Sequence, residues 1–299
     1  MKVGDETLQT PSPVRARPFL KWAGGKSQSL GELAKYFPRR YNRYFEPYLG
    51  GGAVYFHLRP QEAVLSDANF ELINTYRTVT TDVDALIDKL SEYQRRKLTE
   101  KFYYRERDKG PSSLSDVDRA ARFIFLNKTC FNGLYRVNRE GKFNVPFGKY
   151  DRMPTLYSAS NLKVVSNLLR TAKVEPGYCL PILEEFEPTE GDFVYLDPPY
   201  ATENSNGFTG YTKEAFTWLD QQRLAKEFVK LARNGCYVMM SNGGDRSIKD
   251  LYSNAAKAII PIKVDRMINS RGDQRTGYSE LLILSYVPEN QTLEAWTKD

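Results

Sequence analysis

Asp192-Phe193-Val194-Tyr195-Leu196-Asp197-Pro198-Pro199-Tyr200 is the stretch from which the rest of the chain can be read. Phe193 to Leu196 is a short apolar run of aromatic and β-branched residues entered from a turn at Gly191, the pattern of a buried strand. Two prolines then end it, since neither can donate to a β-ladder. A carboxylate, Asp197, and an aromatic ring, Tyr200, are thereby placed at the carboxyl end of a strand, the ligand-binding edge of an open α/β sheet. The bland alternative is a rigid turn with a solvated Asp and a packed Tyr.

Downstream, Glu203 to Thr212 reads as a loop rich in Asn, Gly and Thr, and Asp220 to Arg233 as an amphipathic helix with Leu219, Leu224, Phe228 and Leu231 on one face. Cys236 to Ser241 reads as a buried strand. Ile259 to Val264 and Leu281 to Val287 read as the last two strands, with a polar loop carrying Arg271 and Arg275 between them. Upstream, the periodicity predicts a helix over about 159–171 and a strand near 177–183.

The first strand is predicted at Arg43-Tyr44-Phe45-Glu46, followed by the turn Pro47-Tyr48-Leu49-Gly50-Gly51-Gly52 and a helix from Ala53. Strand, glycine turn and helix form the arrangement that cradles nucleotides. The dinucleotide fingerprint nevertheless fails, because its third glycine would stand at Tyr55. A second strand, Ala63 to Ser66, ends at Asp67, where an acid can accept hydrogen bonds from a ribose diol or cap the next helix. Nearer the N-terminus, a helix is expected over about 28–36, and Gly25-Lys26-Ser27 imitates the end of a phosphate-binding loop. That motif needs a glycine where the chain has Leu20, so a phosphate site is disfavoured.

Composition narrows the class. The 299 residues carry a net charge of +6, and it is unevenly placed. Residues 93–152 hold 15 Lys and Arg against 7 Asp and Glu, with eleven Phe and Tyr; the remainder holds 28 against 30. A basic stretch interleaved with aromatics suits phosphate contact and base stacking, although a solvated helical surface has the same composition. Three scattered cysteines without metal spacing and one histidine, His57, argue against a disulfide framework, a metal site and a histidine triad. No run of eighteen apolar residues and no signal-peptide centre are found, and we expect a cytoplasmic protein.

The motifs in this order resemble the Dam family of DNA adenine-N6 methyltransferases, the group that uses Asp-Pro-Pro-Tyr. The matches are FLKWAGGK at 19–26, FEPYLGGG at 45–52, SDAN at 66–69, NGLYRVN at 132–138, KFNVPFG at 142–148 and FVYLDPPY at 193–200, so they extend over most of residues 17–287. The resemblance implies an α/β fold with a mostly parallel seven-stranded sheet of the S-adenosylmethionine-dependent methyltransferase type. It also implies a catalytic and cofactor domain at 17–69 and 154–287, an inserted, mainly helical target-recognition domain at 70–153, and tails at 1–16 and 288–299.

By the same resemblance, Trp22, Lys26, Asp67 and Asp197 contact S-adenosylmethionine, with the Gly50–Gly52 turn giving the backbone a close approach to its amino-acid end. Lys21, Phe131, Asn132, Leu134, Arg136 and Pro146 contact double-stranded DNA around the site GATC. Core packing is the alternative for Phe131 and Leu134, a phosphate contact for Arg136 and a structural salt bridge for Lys26. Asp197 and the Pro198 carbonyl are expected to accept the two N–H groups of an adenine amine while Tyr200 stacks on the base, which must leave the duplex to be reached. The loop after Tyr200 is a candidate lid. The same tetrapeptide serves N4-cytosine, RNA and protein-glutamine methylation, and a non-catalytic DNA-binding relative would keep the fold. No metal and no membrane partner are expected, and the oligomeric state is left open, a monomer being compatible with this reading.

Overall fold

The computed structural model describes residues 15–138, 140–201, 216–264 and 278–288. Most of the expected tails, the loop expected over 203–212 and the loop with Arg271 and Arg275 lie outside those residues. In chain order the elements are α1 (Leu30–Leu33), β1 (Tyr44–Glu46), α2 (Ala53–Leu58), β2 (Ala63–Asp67), α3 (Phe70–Thr81), α4 (Val83–Gln94), α5 (Glu100–Asp108), α6 (Asp116–Thr129), α7 (Ala159–Leu169), β3 (Ala172–Pro176), α8 (Cys179–Phe186), β4 (Phe193–Leu196), α9 (Trp218–Arg233), β5 (Tyr237–Gly243), α10 (Arg246–Tyr252), β6 (Ala258–Val264) and β7 (Tyr278–Leu284).

The seven strands form one sheet in the order β3-β2-β1-β4-β5-β7-β6, the mostly parallel seven-stranded kind that the family resemblance implied. The first five are parallel, and β7 runs antiparallel between β5 and β6. The period of two in the strands sorts their side chains into two cores. Phe193, Tyr195, Met239, Leu282 and Leu284 face one side with α2, α3, α4 and α7. Val194, Leu196, Met240, Leu281 and Ile283 face the other with α8, α9 and α10. Asp192, wholly buried, pins β4 to β1: it accepts from the Arg43 backbone N–H at 2.9 Å and pairs with the Arg43 guanidinium at 2.7 Å.

Two readings are corrected. The segment near 177–183 is not a strand: β3 lies earlier, at Ala172–Pro176, and α8 begins at Cys179. The apolar run Cys179-Leu180-Pro181-Ile182-Leu183 suits a buried strand or a buried helix equally, and Pro181 is tolerated because it sits in the first turn. β3 is an edge strand with only Val174 buried, so it gave almost no apolar signal. On α9, Leu224, Phe228 and Leu231 are buried, but Leu219 is 55 % exposed. Five residues before Leu224 is about 140° round the helix, off the apolar face.

Within the segment 70–153, α3 and α4 pack in the first core through Leu72, Ile73, Tyr76, Val79, Leu86 and Leu90. α3 is the crossover that a parallel pair requires after β2. A third, smaller core joins Leu98, Tyr103, Phe125, Leu126, Cys130, Val145 and Leu156. α6 serves both cores, since its Ala120, Ala121, Phe123 and Ile124 belong to the first.

Candidate active site

From β1 the chain proceeds to β2 on one side and later to β4 on the other, so the carboxyl ends of β1 and β4 flank the switch point of the sheet, where an α/β crevice opens. A cavity of about 930 Å³ lies there. It is floored by the Glu46–Ala53 turn and walled by Asp67, the Gly177–Pro181 segment and Asp197 to Tyr200. Lys21, Trp22 and Lys26 from the N-terminal segment close it. All the residues expected to hold cofactor or to act in catalysis thus meet in one place.

Lys26 is the centre of the polar geometry. Only 5 % exposed, its ammonium lies 2.8 Å from Asp197 Oδ1, donates to the Gly24 carbonyl at 3.1 Å and reaches the Tyr200 hydroxyl at 3.4 Å. The salt bridge named as the alternative reading of Lys26 is therefore present, and its partner is Asp197 itself. A third group, Glu280, lies 3.8 Å from the same ammonium. Tyr200 is half-buried; withdrawal of its hydroxyl from water holds it well above the usual phenol range, with the charges of Asp197 and Glu280 adding to that shift.

Asp67 ends β2 with both oxygens oriented by the backbone: Oδ2 accepts from Gly50 N–H at 3.0 Å and Oδ1 from Asn69 N–H at 2.9 Å. Burial pushes its carboxyl up to about 6. Gly50 and Gly52 have φ of +47° and +67°. Their missing side chains give room to neighbours within the protein. A Cβ at Gly50 would stand 2.7 Å from the Trp22 ring, and one at Gly52 2.8 Å from the Tyr76 hydroxyl. Gly50 therefore seats Trp22, which in turn lines the cavity.

Glu46 is a group the sequence reading passed over as the last residue of a strand. It lies on the cavity floor, 3 % exposed, with Oε2 accepting from the Tyr44 hydroxyl at 2.9 Å and from Tyr55 N–H at 3.1 Å. Burial pushes its carboxyl up to about 8; the Tyr44 hydrogen bond opposes this and the Asp197 charge assists it. Because the folded-state value is raised, the stability tied to the protonated form is present at low pH and is lost as pH climbs towards 8. Glu46→Gln removes that loss. Calorimetry should show the variant's melting temperature gaining on the wild type by a few degrees between pH 5.5 and 8.5, given about 2–4 °C per kcal/mol in chains of 150–250 residues. Parallel curves for the two proteins would contradict it.

Of the six expected DNA contacts, only Lys21 lines the cavity. The others form an adjoining surface. Phe131 is 45 % exposed, which removes core packing as its role, and its N–H donates to the Pro146 carbonyl at 2.9 Å. Asn132 and Arg136 are exposed and Leu134 is half-buried. Lys21 joins the two regions: its N–H donates to Asn127 at 2.8 Å, its ammonium donates to Tyr150 at 3.2 Å, and it leaves Gly133 no room for a side chain. Tyr135, also missed by the sequence reading, stacks on Trp22 with ring centroids 5.8 Å apart. Its alternation with exposed Arg136 was the available signal.

A mostly parallel seven-stranded sheet with one antiparallel strand, and a switch-point cavity ending on Asp-Pro-Pro-Tyr, define an α/β methyltransferase. The model of the D12 class of N6 adenine-specific DNA methyltransferases matches residues 22–268, and the chain belongs to that family. It is 41 % identical over 295 residues to the type II methyltransferase M.MjaIII of Methanocaldococcus jannaschii, covering 91 % of this chain and 100 % of that one. It is 37 % identical to the type II methyltransferase M1.LlaDCHI of Lactococcus lactis subsp. cremoris, over 93 % of this chain and 99 % of the relative. With the DNA adenine methylase of Haemophilus influenzae the identity is 32 %, over 91 % and 94 %. The protein is accordingly an adenine-specific DNA methyltransferase and requires a methyl donor. Among the described residues no cluster of His, Cys, Asp and Glu could hold a metal, and no helix is long and apolar enough to cross a membrane.

Proposed function

We propose that the protein transfers a methyl group from S-adenosylmethionine to the N6 amine of an adenine flipped out of duplex DNA, within the site GATC, in the cytoplasm. The observation that carries this reading is Asp197-Pro198-Pro199-Tyr200 at the mouth of the switch-point cavity, facing Trp22 and Asp67. The donor fits the residues present. Besides Glu46, which its raised value keeps protonated near neutral pH, four carboxyl groups (Asp67, Asp197, Asp220 and Glu280) line the cavity against two lysines, so it favours a cation over a phosphate. Its volume falls within the range of small-molecule sites, about 300–1,000 Å³.

Asp67 takes the ribose hydroxyls, and Trp22, seated on Gly50, covers the cofactor. When bound, the donor supplies an electrophilic methyl on a sulfonium. Asp197 and the Pro198 carbonyl accept the two N–H groups of the adenine amine, turning its lone pair out of conjugation. The Asp197 charge then stabilises the positive charge that develops on nitrogen. Tyr200 stacks on the base. The segment 70–153, most of whose residues from Leu98 onward have a core of their own, reads the DNA with the exposed Phe131, Asn132 and Arg136; Phe131 fills the space the base leaves, and Arg136 reads a guanine.

Labelled methyl transfer tests the whole reading. Incorporation is expected into a GATC duplex and not into one whose adenine is replaced. Equal incorporation into both refutes adenine as acceptor, and equal rates on duplexes without GATC refute the site.

A further inference from the structure

Glu280 is 3 % exposed and lines the cavity from β7. No motif pointed to it. β7 runs against its neighbours, so its beginning lies at the ligand edge, opposite Gly243 at the end of β5. Gly243 itself flanks the Tyr200 ring: a Cβ there would stand 3.6 Å from Tyr200 Cδ2. The Tyr200 hydroxyl accepts from Lys26 at 3.4 Å, and the Glu280 charge helps to hold it in its neutral form. Lys26 in turn lies 2.8 Å from Asp197 and 3.8 Å from Glu280. A half-buried acid, Asp197, and a buried one, Glu280, therefore both approach the buried Lys26 ammonium, which sits on the acid that the reaction needs.

That arrangement has a consequence for the proposed transfer. An ammonium on Asp197 Oδ1 competes with the target amine for the same oxygen. It also offsets the negative charge that should stabilise the alkylated nitrogen. Lys26 cannot simply retreat without an anion, because a buried ammonium left unpaired is costly. Glu280 supplies the anion, and a shift towards it preserves the contact between Lys26 and the Tyr200 hydroxyl.

We propose that Glu280 is a positioning residue that takes the Lys26 ammonium from Asp197 when the target amine arrives. The inference rests on the reading of Asp197 as acceptor of the adenine amine.

A double-mutant cycle tests it, with labelled transfer to the GATC duplex and cofactor binding by calorimetry as readouts. Glu280→Gln in the wild-type background should lower kcat about 10- to 100-fold, the scale on which a misplaced catalytic group acts, with cofactor Kd changed less than about threefold. In a Lys26→Met background, where no ammonium needs to be moved, the same substitution should change kcat by less than about threefold. Equal losses in the two backgrounds would mean a merely structural carboxylate and overturn the proposal, as would an unchanged kcat in Glu280→Gln. If Glu280→Gln does not fold, Glu280→Ala is measured in both backgrounds against the same criteria. Failure of the wild type to methylate the duplex at all would instead refute the function proposed above.

Discussion

Asp197→Ala should lower kcat by at least about 10²–10³-fold, the loss seen when one preorganised electrostatic group is removed from a transition state. Binding of a GATC duplex should survive. The argument follows from where the residue stands. Asp197 follows directly on β4, whose residues Phe193 to Leu196 are fully buried, and Pro198 and Pro199 restrict the backbone after it. Its carboxylate is therefore held by the sheet, and removal leaves the walls of the cavity in place. Asp197→Asn separates two contributions. The amide keeps an acceptor oxygen and loses the charge, so a variant as slow as Ala assigns the effect to charge, whereas near-wild-type turnover assigns it to hydrogen bonding. Lys26 loses its 2.8 Å partner in either variant but retains Glu280 at 3.8 Å, so the uncompensated buried charge that makes such deletions unfold proteins is avoided. Retained turnover in Asp197→Ala would refute the role assigned to it.

How much of this site was legible in the sequence depended on chain direction and on burial. Asp67 and Asp197 end parallel strands, and such strands deliver their last residues to the ligand edge; the rule needs only strand ends, which Pro198 and the Asp67-Ala68-Asn69 turn mark clearly. Glu280 belongs to a strand of opposite sense, for which the same rule points to the wrong end. Glu46 also ends a parallel strand, but it was read only as the last strand residue because nothing local shows that burial raises its carboxyl to about 8. β3 was missed for a related reason: as an edge strand it buries one side chain, Val174, and leaves no run for a period to be read from. The two cores were written plainly, in the alternation of Phe193 and Tyr195 with Val194 and Leu196. The Lys26–Asp197 pair joins positions 171 residues apart, a distance across which only the fold, or a family resemblance, can speak.

Arg136→Ala should relax discrimination at one base pair by about 1–3 kcal/mol, roughly 5- to 150-fold in relative rate, with a smaller effect on overall affinity. The local geometry supports a base contact over a phosphate contact. Arg136 opens a short two-stranded ribbon: its carbonyl accepts from Asn144 N–H at 3.0 Å, Val137 bridges to Phe143, and Asn138 N–H donates to the Lys142 carbonyl at 2.9 Å. The exposed side chain is aimed by one further bond, from Nε to Asn144 Oδ1 at 2.8 Å. With Nε engaged, the two Nη groups project as a fork matching the O6 and N7 acceptors of guanine. A phosphate contact would need no such aiming, since charge alone suffices. Asn144→Ala then becomes the informative partner. It removes the aim and keeps the charge, so discrimination should fall while the salt dependence of binding is unchanged. If Arg136→Ala instead weakens binding equally on all sequences and reduces the salt slope by about one, Arg136 is a backbone contact and the specificity must be sought in Lys21, Asn132 and Leu134.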